Sequence, residues 1–351
     1  MHEQVRSTAR IERPIHARTH SMRKPTEQPD EGPLSEAVNL HSGEGENPPE
    51  TSRKAEDYVS SSHSRLIDEL RRPVESDDRQ KAEAVCAEVT RRALLDLAPA
   101  LTLLPQIERR RAQALTAFAF TLFDFARQGG LEGERLSQIN RWEFSLEAAL
   151  TGDPPGQPVF VQIADLEQWA PWSRDGFDRL MSAARRRATV RRPASAEEAD
   201  RDSHELGGAL VELLVGEPPT AALETMAAAL ARILSLRMLG EDLRRHQSRL
   251  PLTDLPEAWE STIQDDADLM TRAVHSECTR IRPLLLRSAR AVPDLPPEYR
   301  RCGKYLLLAG VRLLNLLEET GDGLQLVSPQ LGAASRLSLL LRARWLAFDR
   351  L

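Results

Sequence analysis

The chain has 351 residues, a net charge of −6 with basic and acidic residues interspersed, 41% hydrophobic residues and only 5% aromatics. That balance excludes a global field for nucleic acid or an anionic membrane, and it supplies enough apolar side chains for a sizeable core. The longest apolar candidates for a membrane span, Leu306–Leu317 and Leu337–Phe348, are both broken by arginine, which leaves no transmembrane segment and only peripheral membrane contact as an option.

Residues 1–60 combine six prolines with many Ser, Glu and Gly and almost no apolar periodicity. Such a composition cannot bury enough surface to offset chain entropy, so a disordered polar tail is expected here. Its first stretch is basic (Arg6, Arg10, Arg13, Arg18, Arg23, Lys24 against Glu3 and Glu12), like an organelle transit peptide, but the early acids favour a cytoplasmic tail that contacts a partner or has no role. Cys86, Cys278 and Cys302 are odd in number and widely spaced, which fits a reducing cytoplasm and argues against a disulfide framework or a cysteine zinc site. His2, His16, His20, His41 and His63 all fall in or beside the tail, away from any packed element, so histidine metal ligation is not expected.

From residue 61 to Leu351 the apolar pattern is 3.6-periodic, with breaks at Pro73, Pro105, Gly129-Gly130, Asp153-Pro154-Pro155-Gly156, Pro193, Pro218-Pro219, Pro251, Pro283, Pro296-Pro297 and Gly321–Gly323. These divide the chain into roughly ten helices of about 12 to 30 residues, with no internal repeat, and predict one large all-α domain over 61–351. Pro158–Ile163 alternates briefly like a strand but runs directly into a helical pattern, and is taken as a helix start. Arg185-Arg186-Arg187 with Arg191-Arg192 is the one dense basic cluster, either a solvated helix face or a phosphate-facing patch.

Several segments carry further meaning in their order. Met238-Leu239-Gly240-Glu241-Asp242-Leu243-Arg244-Arg245 runs on through Leu250-Pro251-Leu252-Thr253-Asp254-Leu255. Earlier come Leu94–Pro105, then Arg109-Arg110-Arg111 opening a helix that reaches Phe123-Asp124-Phe125-Ala126-Arg127. Asp178–Ala188 and Leu206-Gly207-Gly208-Ala209-Leu210 follow, and Gln325–Ser328 with Arg336–Ala343 closes the series. Over residues 80–350 these resemble the motifs of the squalene/phytoene synthase family. The resemblance implies an all-α isoprenoid synthase fold with a central cavity. It also implies a long helix carrying Asp242 that faces the helix carrying Asp124 across that cavity.

Members of that family join two prenyl diphosphates head to head, with aspartates on facing helices holding magnesium ions that pull the diphosphate away. In this chain the four outer motif positions are Phe123, Arg127, Met238 and Asp242, a formal sum of zero where the family pattern places about −4. Ala183 and Arg187 stand where the family has glycine and aspartate, and Arg249 stands for its tyrosine. The upstream tyrosine is replaced by the stretch Asp202-Ser203-His204. Asp124, Glu241 and Asp242 form the residual acidic motif, and Glu241 with Asp242 is the remaining candidate for one magnesium ion. Asp124, rotated by about 100° from Phe123 on its helix, need not face the cavity and is alternatively a helix-face ion-pair partner. Arg127, Arg187, Arg237 and Arg245 are candidate diphosphate ligands. The bland alternative for them is a salt bridge to Asp124, Glu205 or Glu241.

No G-x-S-x-G, H-E-x-x-H, phosphate loop or dinucleotide fingerprint occurs, Gly129-Gly130 reads as a helix stop, and His204 and His246 are more simply structural than catalytic. The resemblance therefore implies a cytoplasmic, non-catalytic subunit that binds a prenyl lipid or a protein partner, such as an intact synthase or an assembly target. Its rivals are an active prenyltransferase with an altered magnesium site and an all-helical adaptor whose cavity has filled in. Nucleic acid is not an expected partner, and no cofactor is expected unless the enzyme reading brings magnesium.

Overall fold

The computed structural model describes residues 65, 67–73, 78–190, 192–245, 247–254, 267–290 and 292–345. The tail to residue 60, Arg191, His246 and Leu255 lie outside them. Among the described residues there is no strand. The elements are α1 (Arg79–Leu94), α2 (Gln106–Arg127), α3 (Glu132–Leu150), α4 (Pro158–Glu167), α5 (Arg174–Thr189), α6 (Ala196–Val215), α7 (Ala221–Arg237), the short α8 (Leu239–Arg244), α9 (Ala267–Ser288), α10 (Pro297–Thr320) and α11 (Ala333–Trp345). Three 3-10 segments join them, at Leu95–Leu103, Val292–Asp294 and Gly321–Gln325.

Helix starts follow local capping chemistry. Asp78, Ser173, Ser195 and Thr220 each place a side-chain oxygen on a backbone N–H of the first turn of α1, α5, α6 and α7. Gly216, with φ of 85°, ends α6 in the left-handed region that glycine adopts without strain. Pro158 opens α4 at a position whose N–H has no intrahelical partner in any case, and every residue from Pro158 to Leu166 is buried. The strand-like alternation there is thus the trace of a helix enclosed on all sides.

Two sequence-based boundaries shift. Pro283 does not end a helix: α9 runs through it from Ala267 to Ser288. Conversely, the α-helical pattern gives way after Leu94 to the 3-10 segment Leu95–Leu103, where Leu95 takes a φ of 46° and Pro99 removes a backbone donor.

The core has two main parts. In the first, Phe118 of α2 stacks on Trp142 of α3 at 5.8 Å and meets Phe177 of α5 edge-on at 5.3 Å, while Phe160 of α4 lies 4.5 Å from Trp142. This aromatic cluster fixes α2, and with it the turn that carries Asp124 and Arg127. The second part is aliphatic and joins α7, α9, α10 and α11 around Ile233, Ile281, Leu313 and Leu314. Between the two, α6 and α7 approach closely. A Cβ at Gly207 would stand 2.6 Å from the Ala228 backbone nitrogen, so the glycine is what permits the contact.

Candidate functional site

The C-terminal end of α2 presents Phe123, Asp124 and Arg127 to α5 and to the turn that follows α7. That turn is not part of one long helix. Met238 caps α7 with φ −85° and ψ 0°, and Asp242 sits on the six-residue α8 that follows, which corrects the expectation of a single long helix through Asp242. Gly240 explains the placement. A Cβ there would lie 2.5 Å from the Gln325 carbonyl oxygen, so only glycine lets α8 pack against the 321–325 segment.

The two motif segments do face each other, and arginines fill the gap between them. Arg127 Nη1 is 3.6 Å from Asp242 Oδ1, and both side chains are largely buried. Arg245 reaches back the other way: its Nη1 is 3.2 Å from Asp124 Oδ1 and its Nη2 is 2.7 Å from Glu241 Oε1. Gln128 Nε2 donates to the other oxygen of Asp124 at 3.1 Å. Asp124 therefore faces the gap, as a buried partner of Arg245 and Gln128 and not as a surface group.

Arg187 of α5 lies over the Phe123 ring at 4.7 Å, and its backbone carbonyl accepts from Arg249 Nη2 at 3.5 Å. Among the described residues no carboxylate is in ion-pair distance of Arg187 or Arg249. Burial first, and then the neighbouring Arg249, push the Arg187 guanidinium down to about 9. Burial likewise lowers Arg249, and it raises Asp242 against the opposing pull of Arg127 and Arg249. Arg127 Nε, Arg249 Nη1, Asp242 Oδ1 and Gln247 Oε1 are buried without a hydrogen-bond partner in the described protein.

The adjoining cavity is lined by Arg187, Arg249, Asp202, Ser203, Arg232 and Glu277, among others, and measures about 20 Å³. That is room for a water-sized group. Arg232 is neutralised there by a two-pronged pair with Glu277 at 2.6 and 2.7 Å, whereas Arg187 and Arg249 are compensated only at longer range, by Asp202 and Asp242.

Arg237 does not join this group, contrary to its expected projection. Its Nη2 is 3.1 Å from Asp96 Oδ2 and its Nε donates to Ser328 Oγ at 3.3 Å, with Asp96 fully buried and Arg336 3.6 Å from the same carboxylate. The reason is the break after α7: as its last residue, Arg237 points toward the 95–103 segment while α8 turns Asp242 toward α2. The basic cluster of α5 also divides. Arg185 pairs with Glu143, and Arg186 with Asp202 and Glu205, so only Arg187 turns inward. Among the described residues His204 hydrogen-bonds through Nδ1 to the Asp200 carbonyl one turn earlier on its own helix, at 2.9 Å.

The residues present do not fit a magnesium cluster. Phe123, Arg127 and Met238 offer no oxygen donor, Glu241 and Asp242 are each committed to a different guanidinium, and the described residues contain no group of three metal-binding side chains.

A family model for squalene/phytoene synthase matches residues 71–339. This chain belongs to the squalene/phytoene synthase family. Solved structures with the same fold include a dehydrosqualene synthase in complex with ligand, at 16% identity over 76% of this chain and 96% of that one, with a TM-score of 0.64. The squalene synthase HpnC from Alicyclobacillus acidocaldarius is 18% identical over 73% and 98%, with a TM-score of 0.56. YisP from Bacillus subtilis is 13% identical over 75% and 96%, with a TM-score of 0.53. No curated protein matches. Within this squalene/phytoene synthase-family chain, all-α as expected, no helix among the described residues is long and apolar enough to cross a membrane.

The residue that sequence reasoning missed is Arg249. It was visible as the replacement of a motif tyrosine, but only the turn at 247–254 brings it beside Arg187. Asp96 was missed as well, because a lone acid in an apolar stretch gives no hint of two arginine partners.

Proposed function

We propose that this protein is a non-catalytic member of its family that holds the phosphate end of a prenyl diphosphate, or a related anion, without magnesium, as a binding subunit. The observation that carries this reading is the surplus of buried positive charge: Arg127, Arg187 and Arg249 share Asp242, and neither Arg187 nor Arg249 has a carboxylate within ion-pair distance among the described residues, Asp202 and Asp242 acting on them only from farther away. Buried cations whose carboxylates lie beyond ion-pair distance are costly, and an anion entering between them would regain that cost through charge-assisted hydrogen bonds. The same arginines cannot replace several divalent ions in expelling a diphosphate, because guanidinium forks retain an anion without supplying comparable Lewis acidity.

Calorimetric titration with inorganic pyrophosphate and with farnesyl diphosphate, each in the presence of a chelator, tests this. Saturable binding that Arg187→Ala and Arg249→Ala weaken supports it. Magnesium-dependent release of pyrophosphate from farnesyl diphosphate would replace it with the enzyme reading. One observation favours the adaptor reading: the cavity of about 20 Å³ admits no prenyl chain without movement of the 247–254 turn. Titrations showing no heat with any diphosphate would select that reading.

A further inference from the structure

The C-terminal helix α11 carries apolar residues on both faces, more than packing on the core requires. Leu339 and Ala343 face inward and are buried, yet Leu337, Leu341 and Trp345 are 58%, 52% and 76% exposed. At about 100° per residue these three fall on one stripe opposite the buried pair. Arg344 borders the stripe on one side and Arg342 on the other, both exposed, and the Arg344 guanidinium lies 6.0 Å from the Trp345 ring. The helix carries Arg336, Arg342 and Arg344 and no acidic residue, in a chain whose net charge is −6.

We infer that α11 is a docking helix for an anionic lipid surface, lying in the interface with Leu337, Leu341 and Trp345 inserted and Arg342 and Arg344 on headgroup phosphates. The charge pattern selects this occupant. A second copy packed through the same face would bring two wholly basic helices together, and of the chain's own first 60 residues the basic stretch 1–24 would be repelled likewise, whereas the acidic stretch 25–60 lacks the apolar periodicity to cover Leu337, Leu341 and Trp345. An anionic membrane instead complements the arginines, and tryptophan beside arginine is suited to the headgroup boundary. This placement is independent of whether the arginine site binds a diphosphate.

Co-sedimentation of the full chain with vesicles of phosphatidylcholine alone, and with about a third phosphatidylglycerol, tests the assignment. Binding should require the anionic lipid and fall with added salt. Leu341→Ser with Trp345→Ser should weaken it about tenfold, and Arg342→Glu with Arg344→Glu should remove the preference for phosphatidylglycerol. Because these side chains are exposed, thermal melting should match the parent chain, so that lost binding is not lost folding. Equal sedimentation of parent and variants would overturn the inference. So would a dimer, seen by sedimentation equilibrium, that Leu341→Ser with Trp345→Ser dissociates.

Discussion

Arg127 and Asp242 stand 3.6 Å apart at the place where two motif helices of the family face each other, one basic and one acidic residue spanning the gap. With Arg245 joining Asp124 to Glu241 alongside, the segments are held together by internal counterions. This arrangement makes the site self-compensating at one end and leaves Arg187 and Arg249 in excess at the other.

Arg187→Leu should raise the stability of the unliganded protein while removing its stabilisation by pyrophosphate. The guanidinium is desolvated over Phe123 with Asp202 and Asp242 beyond ion-pair distance, and replacing a poorly compensated buried charge with an apolar side chain is neutral to stabilising, by about 1–3 kcal/mol. Chemical denaturation of both proteins, with and without pyrophosphate, measures the two effects. A large loss of unliganded stability would mean that Arg187 has a structural partner.

The same residue sets a pH dependence. Its folded value is held down to about 9, below the ordinary guanidinium range, so in the window above about 9 the unfolded chain binds the proton more tightly. Stability attributable to this group therefore rises with pH through that window, and below it the burial cost is present in full. Asp242 has the opposite sign: burial raises its carboxyl, so stability falls as pH climbs from the ordinary carboxylate range to the raised value and is flat above it. Differences between the parent and Arg187→Leu at alkaline pH, and between the parent and Asp242→Asn in mild acid, isolate each contribution.

Breaking the Asp96–Arg237 pair should be severe. Both groups are buried, and Asp96→Ala would leave Arg237 and Arg336 facing one another without the carboxylate, at a cost of about 3–5 kcal/mol. Arg237→Met paired with Asp96→Leu should recover much of the loss, since the interior is then apolar on both sides. Neither change should alter pyrophosphate affinity in the folded protein, which distinguishes this pair from Arg187 and Arg249.

How far these roles were legible varies with the physics behind them. Helix positions were readable because apolar spacing and Pro or Gly punctuation act locally: the breaks at Pro105, Gly129-Gly130 and Pro218-Pro219 all fall between helices. Pro283 misled because an internal proline can be absorbed when the rest of the helix is well packed, as α9 is through Met270, Cys278 and Ile281. The loss of carboxylates at Phe123, Arg127 and Met238 needed only the register. The direction of each arginine did not follow from register, because it depends on the break at Met238 and on the Gly240 contact, which are tertiary facts. Arg127 and Arg237 look alike in sequence, yet one spans the site and the other is buried against Asp96.

Gly207→Val should destabilise the chain by about 1–3 kcal/mol, the usual cost of overpacking. A Cβ there meets backbone, at 2.6 Å from the Ala228 nitrogen and 2.9 Å from the Ala227 carbonyl carbon, so α6 and α7 would have to separate. Gly208 is a useful control: a Cβ there meets the Glu224 side chain, which is free to swing away, and Gly208→Ala should cost less. Equal denaturation midpoints for the two variants would contradict the close approach.

The last prediction concerns magnesium. Incubated with farnesyl or geranylgeranyl diphosphate and magnesium, the protein should form no squalene or phytoene, because Phe123, Arg127 and Met238 supply no carboxylate and the remaining acids are paired with arginine. Changing Phe123→Asp, Arg127→Asp and Met238→Asp together removes the partner of Asp242 and adds three negative charges in one partly desolvated gap. The triple variant should therefore be less stable than the parent without metal, through mutual repulsion of its carboxylates. Magnesium should restore that stability in proportion to its binding, by mass action, while leaving the parent unchanged. Thermal melting across a magnesium series reads both effects. Stabilisation of the parent by magnesium, abolished by Asp242→Ala, would show that the arginine pairs yield to the ion and that the site retains the family's metal chemistry.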